Sequence, residues 1–152
     1  MRYLIVYHTK YGNTEKIAEK IAREIGKEAN LLFVTETTSE EIATADLVIF
    51  GCPTHRFYAS VYMRDFVDGL PEGFFNGRKF CVFDTRYHKP KSQFGSGADE
   101  ISQRISRRGG IQLLPPQSFF VVDREGPLDE GELERAGNWV ALIKETIVAA
   151  TS

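Results

Sequence analysis

Cysteine is scarce in this chain: two in 152 residues, Cys52 and Cys81, both inside or beside apolar runs. Neither has a partner at C-x-x-C or metal-ligand spacing, which excludes a disulfide scaffold or a readable zinc site and implies reduced thiols. Long hydrophobic runs are missing too. No stretch approaches the ~20 apolar residues of a membrane span, and no apolar signal core precedes the first strand-like run, Tyr3 to Tyr7. The expected setting is therefore cytoplasmic. Net charge is nearly absent, formally -2, so neither nucleic-acid binding nor strong global steering is expected. Repeats, linkers and low-complexity tracts are absent as well. That leaves one domain over residues 1–152, long enough for a packed core.

What is present is alternation. Apolar bursts of strand length recur at Tyr3 to Tyr7, Leu31 to Val34, Leu47 to Phe50, Phe80 to Phe83 and Phe119 to Val122. They are continuous, as strands covered on both faces are. Helical patterns lie between them: Ile17 to Ile25, a short one opened by Ser39 with Glu40 and Glu41, then Met63, Phe66, Val67 and Leu70, then Ala98 through Ile105 to a stop at Gly109-Gly110. A last helix opens at Asp129 with Glu132 three residues on and carries Leu133, Ala136, Val140, Ile143 and Ile147 on one stripe. The alternation predicts an α/β fold with a parallel sheet and helices on both faces. Ligands of such sheets bind beyond the carboxyl ends of the strands, where strand order reverses. The loops leaving strands one, three and four are the ones to search.

The first of these reads Thr9-Lys10-Tyr11-Gly12-Asn13-Thr14-Glu15. A Gly-containing, hydroxyl-rich turn between a strand and a helix makes a phosphate cradle: backbone N–H groups and the positive dipole end face the ligand, and Thr9, Asn13 and Thr14 can add donors. The same residues would also suit an ordinary capped helix start. The third-strand loop, Gly51 to Ser60, holds Pro53, Thr54, His55, Arg56, Phe57 and Tyr58, whose rings could lie against a planar ligand or pack beneath the next helix. The fourth-strand loop, Asp84 to Gly97, is long for a strand-to-helix connection, as functional loops often are. It offers Thr85, Arg86, Tyr87, Phe94 and Gly95, and a basic run of Arg86, His88, Lys89 and Lys91 with no acid among them.

Together, the hydroxyl-rich Gly-Asn-Thr turn, the segment Ala45 to Gly51 leading into a Pro-Thr-aromatic loop, and a long third loop with Tyr and Gly resemble the flavodoxin family, from Tyr3 to Ile143. The resemblance implies a three-layer sandwich with a five-stranded parallel sheet of order 2-1-3-4-5 and FMN at the switch point between strands one and three. It further implies that residues 9–14 hold the FMN phosphate, with Tyr11 where the family often has Thr. His55 stands where many members place a Trp, leaving the inner flavin face to His55, Arg56 or Phe57. Tyr87 is the first choice for the outer face and Phe94 the second. Thr85, Arg86 and Gly95 would meet the pyrimidine edge and the dimethylbenzene rim.

Other readings fit less well. A Cys-x5-Arg phosphatase loop from Cys52 would need Arg where Tyr58 stands, and Gly95-x-Gly97 follows the wrong strand for a dinucleotide fingerprint. A phospho-receiver domain would need acids where Gly51, Cys52 and His8 stand. Trp139 suits packing, and Arg104, Arg107 and Arg108 suit a solvated helix face. The expected function is FMN-dependent electron transfer between redox partner proteins, the partner presenting negative charge near Arg86 to Lys91. The runner-up is a small FMN-dependent oxidoreductase similar to menaquinone-dependent protoporphyrinogen oxidases or quinone reductases. A flavin-free domain of the same fold is the third reading.

Overall fold

The computed structural model describes residues 1–88 and 90–151, without the side chains of Phe94 and Thr151. Among these residues the strand segments are β1 (Tyr3–Tyr7), β2 (Ala29–Phe33), β3 (Leu47–His55), β4 (Tyr58–Ala59), β5 (Lys79–Tyr87), β6 (Ile111–Gln112) and β7 (Gln117–Val121). The helices are α1 (Asn13–Ile25), α2 (Ser39–Thr44), α3 (Val61–Gly69), the single turn α4 (Lys91–Phe94), α5 (Gly97–Arg107) and α6 (Glu132–Thr151). The sheet runs β2-β1-β3-β5 and then an edge position shared by two segments: β6 pairs with the start of β5 and β7 with its end, both parallel. Counted by position, this is the expected order 2-1-3-4-5. Leu113, Leu114, Pro115 and Pro116 interrupt the edge, because proline supplies no ladder N–H. β4 turns back antiparallel on β3 as a short hairpin that the apolar pattern does not announce.

Strand side chains alternate between two cores. Leu4, Val6, Val48, Phe50, Phe80 and Val82 face α3 and α5 with Met63, Val67, Ile101 and Ile105. Tyr3, Ile5, Leu47, Ile49, Cys81 and Phe83 face α1 and α6 with Ile17, Ile21, Val140 and Ile143. Trp139 packs as expected, edge-on to Phe83 and Phe119. Both cysteines are buried free thiols, and burial pushes Cys81 up to about 12 and Cys52 higher still, so neither is a nucleophile at neutral pH.

Two expectations about helices fail. Leu133 is exposed, and Glu132 turns inward instead, accepting from the Phe120 N–H at 2.7 Å and from Arg135 at 2.6 Å. That use of Glu132 replaces the capping box with Asp129, which pairs with His88 at 2.9 Å. Arg108 is no solvated residue either: its guanidinium donates to the carbonyls of Val67, Leu70 and Pro71 at the end of α3. Arg104 bridges Asp68 and Glu100.

Gly51 lies where the Phe83 ring crosses β3, and a β-carbon there would sit inside that ring. Gly51→Ala should therefore destabilise the fold by about 1–3 kcal/mol, as overpacking does, read as a lower urea midpoint at unchanged m-value.

Candidate functional site

α2, α3 and α5 each have a side-chain cap: the Thr38 hydroxyl accepts from Glu41, Ser60 from Met63, and Ser96 from Asp99. α1 has none. Its N-cap, Gly12, is left-handed at φ 94, and no side chain accepts from the first turn. The turn opens into a cavity of about 410 Å³ at the carboxyl ends of β1, β3 and β5, a volume ordinary for a small-molecule site. The orphan N–H groups and the helix dipole there favour an anion.

Thr9, Lys10, Tyr11, Asn13 and Thr14 line one part of this cavity, Pro53, Thr54, His55 and Arg56 another, and Thr85, Arg86 and Tyr87 a third. Three loops predicted from the sequence are thus brought together. Gly12, Phe57 and Gly95 are outside the lining. The Gly12 N–H donates to the Thr9 hydroxyl at 3.0 Å. Phe57 turns outward and is half exposed. Gly95, at φ 65, packs directly on the Phe57 backbone, so its role is to bring the third loop against the hairpin. The Phe94 side chain and Lys89 lie outside the described residues.

The hydroxyls differ from a set of free donors. Thr14 and Thr85 share one hydrogen bond of 2.7 Å between their buried hydroxyls. Two hydroxyl protons serve that one bond, so the pair keeps a proton to donate to a ligand. The Asn13 amide donates to the Glu125 carbonyl at 3.1 Å, fastening a fourth loop to the first. That fourth loop, which follows β7, adds Val121 and Arg124 to the lining. Both escaped the sequence reading, which confined its search to the exits of strands one, three and four. The signal was available in Asp123-Arg124-Glu125-Gly126, a polar turn at another carboxyl end.

Asp84 supports the site from below. Fully buried, it accepts from the Ser96 hydroxyl at 2.5 Å and the Ala98 N–H at 3.0 Å, tying the far end of the third loop to its start. Burial pushes its carboxyl up, against those hydrogen bonds. Residues of the basic run are engaged within the fold: His88 meets Asp129, Lys91 meets Asp99 at 2.9 Å, and Arg86 donates to Ser118 at 2.9 Å with its guanidinium over the Phe120 ring.

Anion-seeking amides, a spare hydroxyl proton and cations, together with the rings of His55 and Tyr87, fit a ligand with a phosphate on a flat heteroaromatic group. No carboxylate lines the cavity. The sequence model of the flavodoxin family matches residues 5–138. The chain belongs to the flavodoxin family. A flavodoxin of Aquifex aeolicus is 34% identical over 91 residues, which are 55% of this chain and 49% of that protein, so the match spans about half that relative's length. Flavodoxin 1 of Escherichia coli K12 is 31% identical over an alignment of 163 positions covering 94% of this chain and 93% of that one. The structure of Bacillus cereus flavodoxin 2 superposes with a TM-score of 0.79 at 24% identity, over 95% of this chain and 99% of that chain, a likeness of fold. FMN is the cofactor of the flavodoxin family.

Two imidazoles at this end of the sheet bind protons more weakly than free histidine. Burial is the main cause for both; His55 adds to it for His8, and Lys10 and Arg124 add to it for His55. With the folded proton affinity lowered, the unfolded chain takes up more protons as pH falls below about 6.5. Stability is then full above that pH and declines on acidification toward the depressed folded values. His8→Phe, in a position already flanked by the Tyr62 ring and the edge-on Phe33 ring, should narrow the difference in melting temperature between pH 7.5 and pH 5.5.

Proposed function

We propose that this chain is a single-domain electron carrier that holds FMN in the four-loop cavity and exchanges electrons with redox partner proteins in the cytoplasm. The observation that carries the reading is the uncapped first turn of α1 opening into a cavity with no acidic wall. Bound FMN supplies one- and two-electron chemistry. Thr9, Asn13 and Thr14, with the backbone of Lys10 and the amides that open α1, are assigned to its phosphate. His55, with Pro53, Thr54 and Arg56, is assigned to the inner ring face, Tyr87 to the outer face, and Thr85 and Arg86 to the pyrimidine edge. No described helix is long and apolar enough to cross a membrane, and the two reduced, buried thiols fit a reducing compartment. Family membership favours the carrier over the oxidoreductase reading.

The partner is assigned a negatively charged face. The expectation that this face meets Arg86 to Lys91 is weakened by the ion pairs of His88 and Lys91, and cations on the other loops are better placed to meet it. The same cations favour the electron-rich state of the site. Each partly exposed charge contributes about 1 kcal/mol or less after screening, equivalent to about 40 mV for one electron.

The purified protein should be yellow and bind FMN at micromolar concentration or tighter; colourless protein that refuses FMN would sink the reading. Thr14→Ala should weaken FMN about tenfold, the size of one lost charge-assisted hydrogen bond, and leave riboflavin nearly unchanged. Equal loss for both ligands would mean that the phosphate lies elsewhere. In a redox titration the second potential should be less negative than in flavodoxins with acids around the ring, and Arg124→Glu should lower it.

A further inference from the structure

Among the described residues, Lys10, Arg56 and Arg124 form no ion pair. All three line the same cavity, one from each of three loops, and all are exposed. The acids nearest in sequence to Arg124, Asp123 and Glu125, lie outside the cavity lining, and the Asp123 carboxylate accepts from the Tyr87 hydroxyl and the Arg124 N–H. Lys10 and Arg124 share that cavity with the His55 ring. The result is a cationic collar on a chain whose net charge is -2.

Arg56 adds an independent sign. It is the non-glycine residue at positive φ, 56°, in the two-residue turn of the β3–β4 hairpin. A long side chain there costs about 1–2 kcal/mol relative to glycine, so the turn keeps its charge against its own conformational preference. Beside it lies an apolar apron on the hairpin tip and the start of α3: Phe57 is 50% exposed, Tyr58 58%, Val61 54% and Tyr62 59%. Exposed aromatics next to arginine are the composition of protein interfaces. A small anion would need the collar and leave the apron unused.

We propose that the collar of Lys10, Arg56 and Arg124 and the apron from Phe57 to Tyr62 form one docking face for an acidic redox protein, whose carboxylates meet the collar while its apolar surface covers the apron. The inference rests on the carrier reading above and names the kind of partner it serves. Complementary charge of this sort raises association rates and is screened by salt.

The test sets the local charge against the global one. Reduced holoprotein is mixed in a stopped-flow instrument with ferricyanide, an anion; two ferricyanide ions each take one electron from the two-electron-reduced cofactor and proton release goes to the buffer. Net charge predicts repulsion and a rate that rises with salt. The collar predicts attraction and a rate that falls, by about tenfold between low and high ionic strength. A flat or rising rate overturns the proposal. Arg56→Gly with Arg124→Ser, the first a relief of backbone strain, should abolish the fall, whereas Lys27→Glu at the opposite end of the sheet should leave it; equal effects of the two changes overturn it.

A second measurement needs no flavin. A peptide of alternating glutamate and leucine, acidic and apolar at once, is titrated into the purified chain, with or without FMN, and amide chemical shifts are followed. Shifts clustered at residues 10, 56–62 and 124 support the docking face even if the chain proves to hold no flavin, in which case the carrier reading alone fails. Shifts spread over other surfaces, or confined to the three cations with residues 57–62 unmoved, overturn it.

Discussion

The open N-terminus of α1 is the constraint on which the site depends. A helix start leaves several N–H groups without partners, and this chain satisfies them by side-chain caps on α2, α3 and α5. At α1 the Gly12 backbone takes the left-handed turn instead, and the Thr9 hydroxyl accepts from the Gly12 N–H, ahead of the helix's first turn, keeping its own proton to donate. The first turn of α1 is thus left for a ligand. Because β1 is central, flanked by β2 and β3, that open turn lies between loops that other strands deliver to the same edge of the sheet.

Those loops are then fixed to one another. Thr14 of the first meets Thr85 of the third; the Gly97 N–H, closing the third, donates to Thr54 of the second at 2.9 Å; Asn13 of the first holds the Glu125 carbonyl of the fourth. Tyr87 reaches Asp123 across the mouth. Hydrogen bonds of this kind, the Thr14–Thr85 one buried, organise the cavity before any ligand arrives. They also explain the small residues at the seams. Gly97 has the Ala59 backbone and the Cys52 sulfur in contact with the place a β-carbon would take, and Gly126, at φ 106, has the Asn13 amide there.

The sheet and its central helices were legible because burial on both faces leaves continuous apolar runs, as at Tyr3 to Tyr7, and because 3.6-residue spacing survives on α1 and α5. The turn that opens α1 was legible for a related reason: strand, Gly and hydroxyls, then helix is a local pattern. What could not be read is what long-range contacts decide. Glu132 looks like a capping residue and is instead captured by the Phe120 N–H and Arg135. The basic run Arg86 to Lys91 is partly engaged once the fold brings Asp99 against Lys91, Asp129 against His88 and the Ser118 hydroxyl against Arg86. Arg124 was invisible for the converse reason, since nothing within its own turn says that Asn13 will draw that turn to the cavity.

This exchange of one cationic segment for another changes the physical argument about the site. A basic run within one loop is a local feature whose charge nearby acids can offset, as Asp99 does for Lys91. Cations from three loops converge only in the folded state, on a cavity whose lining, among the described residues, includes no carboxylate. Screening at physiological salt acts over about 8 Å, so an approaching partner responds to that rim before it responds to the distant acids that make the whole chain negative. For the proposed carrier, the sign of the charge at the cavity mouth, more than the net charge of the protein, would then select which redox surfaces approach His55 and Tyr87.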